Sequence, residues 1–330
     1  MPFNDKRLII WLLLLWVFLT AGCTGQFLAG NSRPATIRAD QFMMVTAASG
    51  DTLASLAETH LKDKNKAWQI AAFNQIETLS PGQRVIIPLI PITYGGIQKN
   101  GYQTVPVLVY TEVAEKPSRS TIVSTRNFNR QLDYLSANGF TTVSLDQFHA
   151  FLDLKDQLPP KAVVVSLDSS AAWAYDIAYP ALKQRGIKAA FFVDPDKVGQ
   201  KGNLTWDQLV QMVAAGMSIG VYGPQIKAPA KEDVKAYLDD FEAQIVAPQK
   251  AFWIHLKQPC SYFVYPQGES NDLTIAMLKK HGYKAAFTLK RGSNPFFADN
   301  FKIKRSRIYG HYDMARFRQN LTTFHAAELK

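Results

Sequence analysis

The chain has 330 residues, 47% of them hydrophobic, 12% aromatic and 19% charged, with 37 basic side chains against 27 acidic ones and a net charge of +10. That length allows two ordinary domains, or one large domain and a small one, and that composition excludes wholesale disorder, collagen-like repeats and a polytopic membrane protein. The positive charge admits nucleic acid, an anionic membrane surface or an acidic polymer as partner, and composition does not choose among them.

At the start of the chain, Lys6 and Arg7 precede an apolar run from Leu8 to Thr20 that ends in Ala21-Gly22-Cys23. A bilayer-spanning helix needs about 20 apolar residues, and this run is nearer the length of the apolar core of an export signal. The segment resembles a bacterial lipoprotein signal and its lipobox, although Thr20 stands where that family prefers the leucine found here at Leu19. The resemblance implies that residues 1–22 are a signal peptide and that Cys23 is lipidated. A plain membrane anchor is the alternative. Either way the body of the protein is expected in the cell envelope, in the outer membrane or periplasm if the cell is Gram-negative, and nucleic acid is set aside. With Cys23 acylated, Cys260 has no intrachain partner, so stability must come from packing.

Residues 23–40 carry Gly, Ser, Asn and Pro without hydrophobic periodicity and read as a flexible tether. Within residues 41–90 the pattern is strand, helix, helix, strand. Val45 lies in a strand; Gly50-Asp51-Thr52 makes a turn, with Asp51 or Thr52 as helix cap; Leu53, Leu56, Ala57 and Leu61 recur at helical spacing. Trp68, Ile70, Ala71 and Ala72 mark a second helix, Pro81-Gly82 a turn, and Val85 to Pro88 a closing strand. Gly50-Asp51-Thr52-Leu53, Trp68-Gln69-Ile70-Ala71, Asn74 and Leu79 to Gln83 together resemble a LysM domain. The resemblance implies a shallow groove for N-acetylglucosamine-containing glycans such as peptidoglycan, walled by Gly50, Asp51, Thr52 and Leu53 on one side and Asn74, Ile76 and Leu79 on the other.

Residues 91–104 read as a linker, and from 105 to 330 short apolar runs alternate with helical segments. Strands are expected over 105–110, 161–165, 189–193, 217–221, 262–265 and 285–289, and helices over 126–138, 173–185, 206–215, 231–246 and 272–281. Such alternation signals an α/β fold with a largely parallel sheet or barrel, whose sites lie where the strands end.

Val105 to Tyr110, Phe128 to Leu135, Leu158 to Val163, Leu204 to Leu209, Tyr265-Pro266-Gln267-Gly268 and Gly282 to Thr288 resemble the polysaccharide deacetylase, or NodB-homology, domain of carbohydrate esterase family 4. The resemblance implies a distorted (β/α) barrel of about seven strands. It also implies an Asp-Asp pair after the second strand, of which Asp168 supplies the general base while Ser169 replaces the metal ligand. The two histidine ligands expected later are replaced by Tyr222 and Ile226, in a frame that keeps Gly216, Ile219 and Gly220, and Thr111 replaces an early histidine. A catalytic zinc needs about three protein ligands and an open water position, so no cofactor is expected at the positions of Ser169, Tyr222 and Ile226. Of His60, His149, His255, His281, His311 and His325, no two are three or four apart, and only His311 could take the place of a late catalytic histidine.

Trp173, Tyr175, Tyr222 and Tyr265 are candidate aromatic walls for sugar rings. The basic stretch Lys302, Lys304, Arg305, Arg307, Arg316 and Arg318 reads as a solvated face, except that Arg307 matches an arginine lining the family's groove. The sequence therefore points to an envelope-anchored, glycan-binding lipoprotein with a degenerate, non-catalytic deacetylase-like domain. Two alternatives stand beside it: an active polysaccharide or peptidoglycan N-deacetylase, which would need zinc or another divalent metal, and a scaffold of a polysaccharide or cell-wall complex whose protein partners the sequence does not name.

Overall fold

The computed structural model describes residues 36–90, 94–98, 100–224 and 234–327. Cys23 with its signal segment, and Ile226, lie outside them. The described residues divide into two compact units, one ending at Leu89 and the other beginning at Ile90.

In the first unit, Phe42–Thr46 and Arg84–Pro88 pair antiparallel, from Phe42 opposite Pro88 to Thr46 opposite Arg84. Helices Leu53–Leu61 and Ala67–Asn74 lie between them in sequence. Alternate strand residues Met43, Val45, Val85 and Ile87 turn inward onto Leu56, Ala57 and Ile70, as a two-residue period with one buried face requires. Thr52 starts the first helix: its hydroxyl accepts from the Ser55 N–H at 3.0 Å, while the Ser55 hydroxyl accepts from the Thr52 N–H at 2.9 Å. The cap is thus Thr52, and the Asp51 carboxylate instead accepts from the Ala48 N–H at 2.7 Å, tightening the turn. The end of the expected tether is structured, since Ile37–Arg38 adds a third strand against Phe42–Thr46.

The second unit is built on seven barrel strands: β1 Gly101–Tyr110, β2 Ala162–Asp168, β3 Ala189–Val193, β4 Ser218–Tyr222, β5 Tyr262–Val264, β6 Ala285–Phe287 and β7 Ser306–Arg307. Strands β1 to β6 pair parallel in chain order. The segment leading into β7 curls the sheet round on itself, because Ile303 bridges to Phe287 of β6 and Ser306–Arg307 pairs parallel with Leu108–Val109 of β1. This is the distorted seven-strand barrel of the sequence expectation, with a broken seventh strand. The expected linker is shorter than 91–104: β1 begins at Gly101, and Ile97–Gln98 pairs antiparallel with its start, because Tyr102 to Thr104 continue the extended, mostly buried run.

Burial alternates cleanly across the barrel wall. Val105, Val107, Val164, Ala190, Phe192, Tyr262, Val264, Phe287 and Ile303 fill the interior. Leu108, Val163, Val165, Phe191, Val221 and Phe263 face outward against helices α1 Thr125–Ala137, α3 Tyr179–Gln184, α4 Trp206–Ala214, α5 Val234–Leu256 and α6 Asp272–Lys280. Helix α2, Leu145–Leu152, was not expected. It buries Leu145, Phe148, Phe151 and Leu152 in the interior cluster, and Asp146 takes the Tyr262 hydroxyl at 2.6 Å and the Lys284 ammonium at 3.0 Å beside the N-terminal ends of β5 and β6. The helix therefore plugs the end of the barrel opposite to where the strands run out. The segment 173–185 opens with a wider π-helical stretch, Ala174–Ala178, before helix α3, and α5 runs on past Val246 to Leu256 with Pro248 inside it.

Cys260 lies buried just ahead of β5, its thiol 3.4 Å from the Ile219 carbonyl oxygen. Burial pushes its pKa up to about 12, and a protonated, inaccessible thiol is unreactive. A Cys23→Ala chain titrated with a disulfide reagent at pH 8 should show no reacting thiol when folded and one when unfolded.

Candidate functional site

The interior positions at the ends of β2, β4 and β7 converge on one mouth. Along β2 the interior set is Ala162, Val164, Ser166 and Asp168, so Asp168 is the last inward residue of a buried strand. On the closing segment, Ile303, Arg305 and Arg307 share the inward parity, and on β4 Gly220 and Tyr222 do. The Arg305 side chain is 0% exposed and that of Asp168 5% exposed, and they form an ion pair at 2.7 Å. The Arg305 Nε donates to the Thr288 carbonyl oxygen at 2.9 Å, and its guanidinium sits 5.6 Å from the centroid of the Phe192 ring. One arginine thus ties together the ends of β2, β3 and β6.

Tyr222 is partly buried beside this pair. Burial, together with the nearby Asp168 carboxylate, holds its phenol above the ordinary value against the opposing pull of Arg305 and Arg307, so it is a neutral hydrogen-bond donor at pH 7. Ser169 is occupied by the local turn: its N–H donates to the Phe192 carbonyl oxygen at 3.1 Å and its hydroxyl accepts from the Ala171 N–H at 3.0 Å. Tyr110, next to Thr111, is fully buried and donates to the Gln131 amide oxygen at 2.9 Å.

Two of the expected ligand positions are Ser169 and Tyr222, both neutral hydroxyls, and the third is Ile226, whose side chain has no donor atom; Thr111, in place of the early histidine, is a neutral hydroxyl too. Among the described residues no group of three His, Cys, Asp or Glu side chains is placed to hold a metal ion. These residues do not fit a zinc centre of the three-ligand kind.

Several expected site residues are employed elsewhere. Tyr265 is 1% exposed; one residue beyond the inward Val264, it points outward, packs edge-on against Phe263 and donates to the Phe301 carbonyl oxygen at 2.9 Å, so it cannot wall the groove. Trp173 packs against the outer cluster, and Tyr175 stacks on Tyr179 and donates to Gln211. His311 is exposed on the loop after β7, against Tyr309 and Tyr312. Arg305 is a correction of the opposite kind: it belongs to the barrel interior and not to a solvated face. The signal was the alternation of Ile303, Arg305 and Arg307 with the more exposed Lys302 and Lys304. In the first unit the Asn74 amide is spent on the fold, since it donates to the Ile70 and Ile86 carbonyl oxygens and accepts from the Ile86 N–H at 2.8 Å. Leu53, Ile76 and Leu79 remain partly buried against that unit's core.

Residues 155–286 match the sequence profile of the polysaccharide deacetylase family, and the second unit is a domain of that class. The poly-beta-1,6-N-acetyl-D-glucosamine N-deacetylase of Staphylococcus epidermidis is 26% identical over 202 residues, 58% of this chain and 69% of its own length. Two solved structures share the fold: IcaB from Ammonifex degensii, 27% identical with a TM-score of 0.56 over 67% of this chain and 96% of its own, and the Streptococcus pyogenes deacetylase PplD in complex with acetate, 23% identical with a TM-score of 0.60 over 66% and 98%.

Removing one partner of a buried ion pair strands the other without its countercharge, at a cost of about 3–5 kcal/mol, whereas replacing both by apolar groups is often close to neutral. Arg305→Leu should therefore lower unfolding stability by about that amount, and Arg305→Leu with Asp168→Leu should recover most of it, as read by urea denaturation.

Proposed function

We propose that this chain is a glycan-binding protein of the cell envelope, anchored by a lipid on Cys23, whose deacetylase-type barrel holds a sugar chain without hydrolysing it. The observation that carries the reading is the pairing of Asp168 with Arg305 among neutral hydroxyls. Hydrolysis of an acetamide needs an activated water and a charge to stabilise the oxyanion. In metal-dependent hydrolysis both come from the ion, which lowers the pKa of bound water to about 7 and polarises the carbonyl. The side chains of Thr111, Ser169, Tyr222 and Ile226 bring together neither imidazole nor carboxylate for such an ion. The first unit, read as a LysM domain on the turn and helix-cap residues Gly50, Asp51 and Thr52, supplies a second glycan contact through Leu53, Ile76 and Leu79. A polymer rich in N-acetylglucosamine is the natural ligand class, since a relative is named for acting on poly-β-1,6-N-acetylglucosamine.

A second reading, an active N-deacetylase with a divergent site, is favoured by that same relative's activity. Elemental analysis of the full chain, acetate release from chitooligosaccharides and co-sedimentation with purified sacculi separate the two. The expected result is sedimentation with sacculi, no stoichiometric metal and no acetate. Stoichiometric metal, together with acetate release abolished by Asp168→Asn, establishes the enzyme instead. Cys23→Ala should leave an unprocessed, larger precursor on a denaturing gel; unchanged processing sinks the lipid anchor.

A further inference from the structure

The charge balance of the mouth is uneven. Arg305 is neutralised by Asp168 at 2.7 Å. Asp194, the other carboxylate that acts on Tyr222, has its own cation in Lys197 at 3.4 Å. The Arg307 side chain has no acidic partner and no hydrogen bond among the described residues, although it is partly buried and its Nε is buried without an acceptor. Among the described residues, Asp168 and Asp194 against Arg305, Arg307 and Lys197 leave one positive charge, on Arg307. Inward parity puts that guanidinium on the same side of the wall as Asp168, and its field reaches Tyr222.

A guanidinium partly withdrawn from water, with a buried Nε that has no acceptor, gains from a counterion. Its planar fork suits a carboxylate in two-point contact, and charge-assisted hydrogen bonds of this kind are roughly twice as strong as neutral ones. A neutral sugar hydroxyl would satisfy the hydrogen bonds but not the charge. We propose that the mouth seats a carboxylate borne on a sugar ring, with Arg307 as its charged partner and the Tyr222 hydroxyl as a neutral donor beside it. This rests on the barrel binding glycan and goes beyond it by making the preferred ligand an acidic glycan.

The test is calorimetric binding of the full chain to pentagalacturonate, to its methyl ester and to chitopentaose, with sodium acetate as the free-anion arm. The acid should bind at least about tenfold tighter than the ester, which has the same shape without the charge. Arg307→Gln should erase that ratio, Arg307→Lys should keep part of it, and Tyr222→Phe should weaken the acid a few-fold. Lys302→Gln, which removes a nearby exposed charge, should leave the ratio alone. Equal binding of acid and ester overturns the proposal, as does an equal loss in Arg307→Gln and Lys302→Gln, which would mean general attraction to a basic surface. Acetate binding as tightly as the pentasaccharide also overturns it, because the sugar would then contribute nothing. Chitopentaose binding without pentagalacturonate binding overturns it while leaving the glycan-binding reading intact. Binding of neither sugar, with no sedimentation on sacculi, removes both.

Discussion

The contact on which the second unit turns is the buried pair of Arg305 and Asp168. The closing segment joins the sheet on both sides: the Ile303 N–H donates to the Ala286 carbonyl oxygen and the Thr288 N–H to the Ile303 carbonyl oxygen at β6, and Ser306–Arg307 pairs with two residues of β1. Arg305 reinforces the seam from inside, with Nε on the Thr288 carbonyl, Nη1 on Asp168 and the guanidinium face over Phe192. The seam and the mouth are therefore one structure, and the residue that would otherwise be free to act as a base is also what keeps the strands together.

The Asp168–Arg305 pair has a mechanical role whatever chemistry surrounds it, because deleting either member leaves a buried charge. Tyr222 and Arg307, on flanking strands, share the inward parity of Asp168.

Much of this could be read in the sequence. The alternating strands and helices, the parallel sheet and the positions of Asp168, Ser169 and Tyr222 at strand ends followed from short apolar runs bounded by turns. Helix α2 was legible but missed: Ser144 and Gln147 form a capping box, with the Ser144 hydroxyl accepting from the Gln147 N–H at 3.2 Å, and Leu145, Phe148, Phe151 and Leu152 recur at helical spacing. What composition alone could not separate was Arg305 from its lysine neighbours, since a buried arginine is recognised by its partner, and Asp168 lies 137 residues away. Tyr265 was misjudged for a related reason. An aromatic at a strand end is as consistent with the outer layer as with the mouth until register fixes its face, and a shift of one residue reverses it.

The same distinction between a side chain's chemistry and its employment governs the first unit. Asn74 has the donors and acceptors of a sugar ligand, yet its amide is fully engaged in joining the second helix to the strand Arg84–Pro88. Asp51 and Thr52 are likewise used, one in the turn and the other in the helix cap. Any glycan contact there must come from backbone groups held in place by these side chains and from the partly buried Leu53, Ile76 and Leu79. Such a surface offers apolar contact and oriented amides. The barrel mouth offers a guanidinium with no acidic partner among the described residues, and a phenol beside it. Under the proposed function, the first unit would meet neutral acetamido sugars and the second a charged substituent.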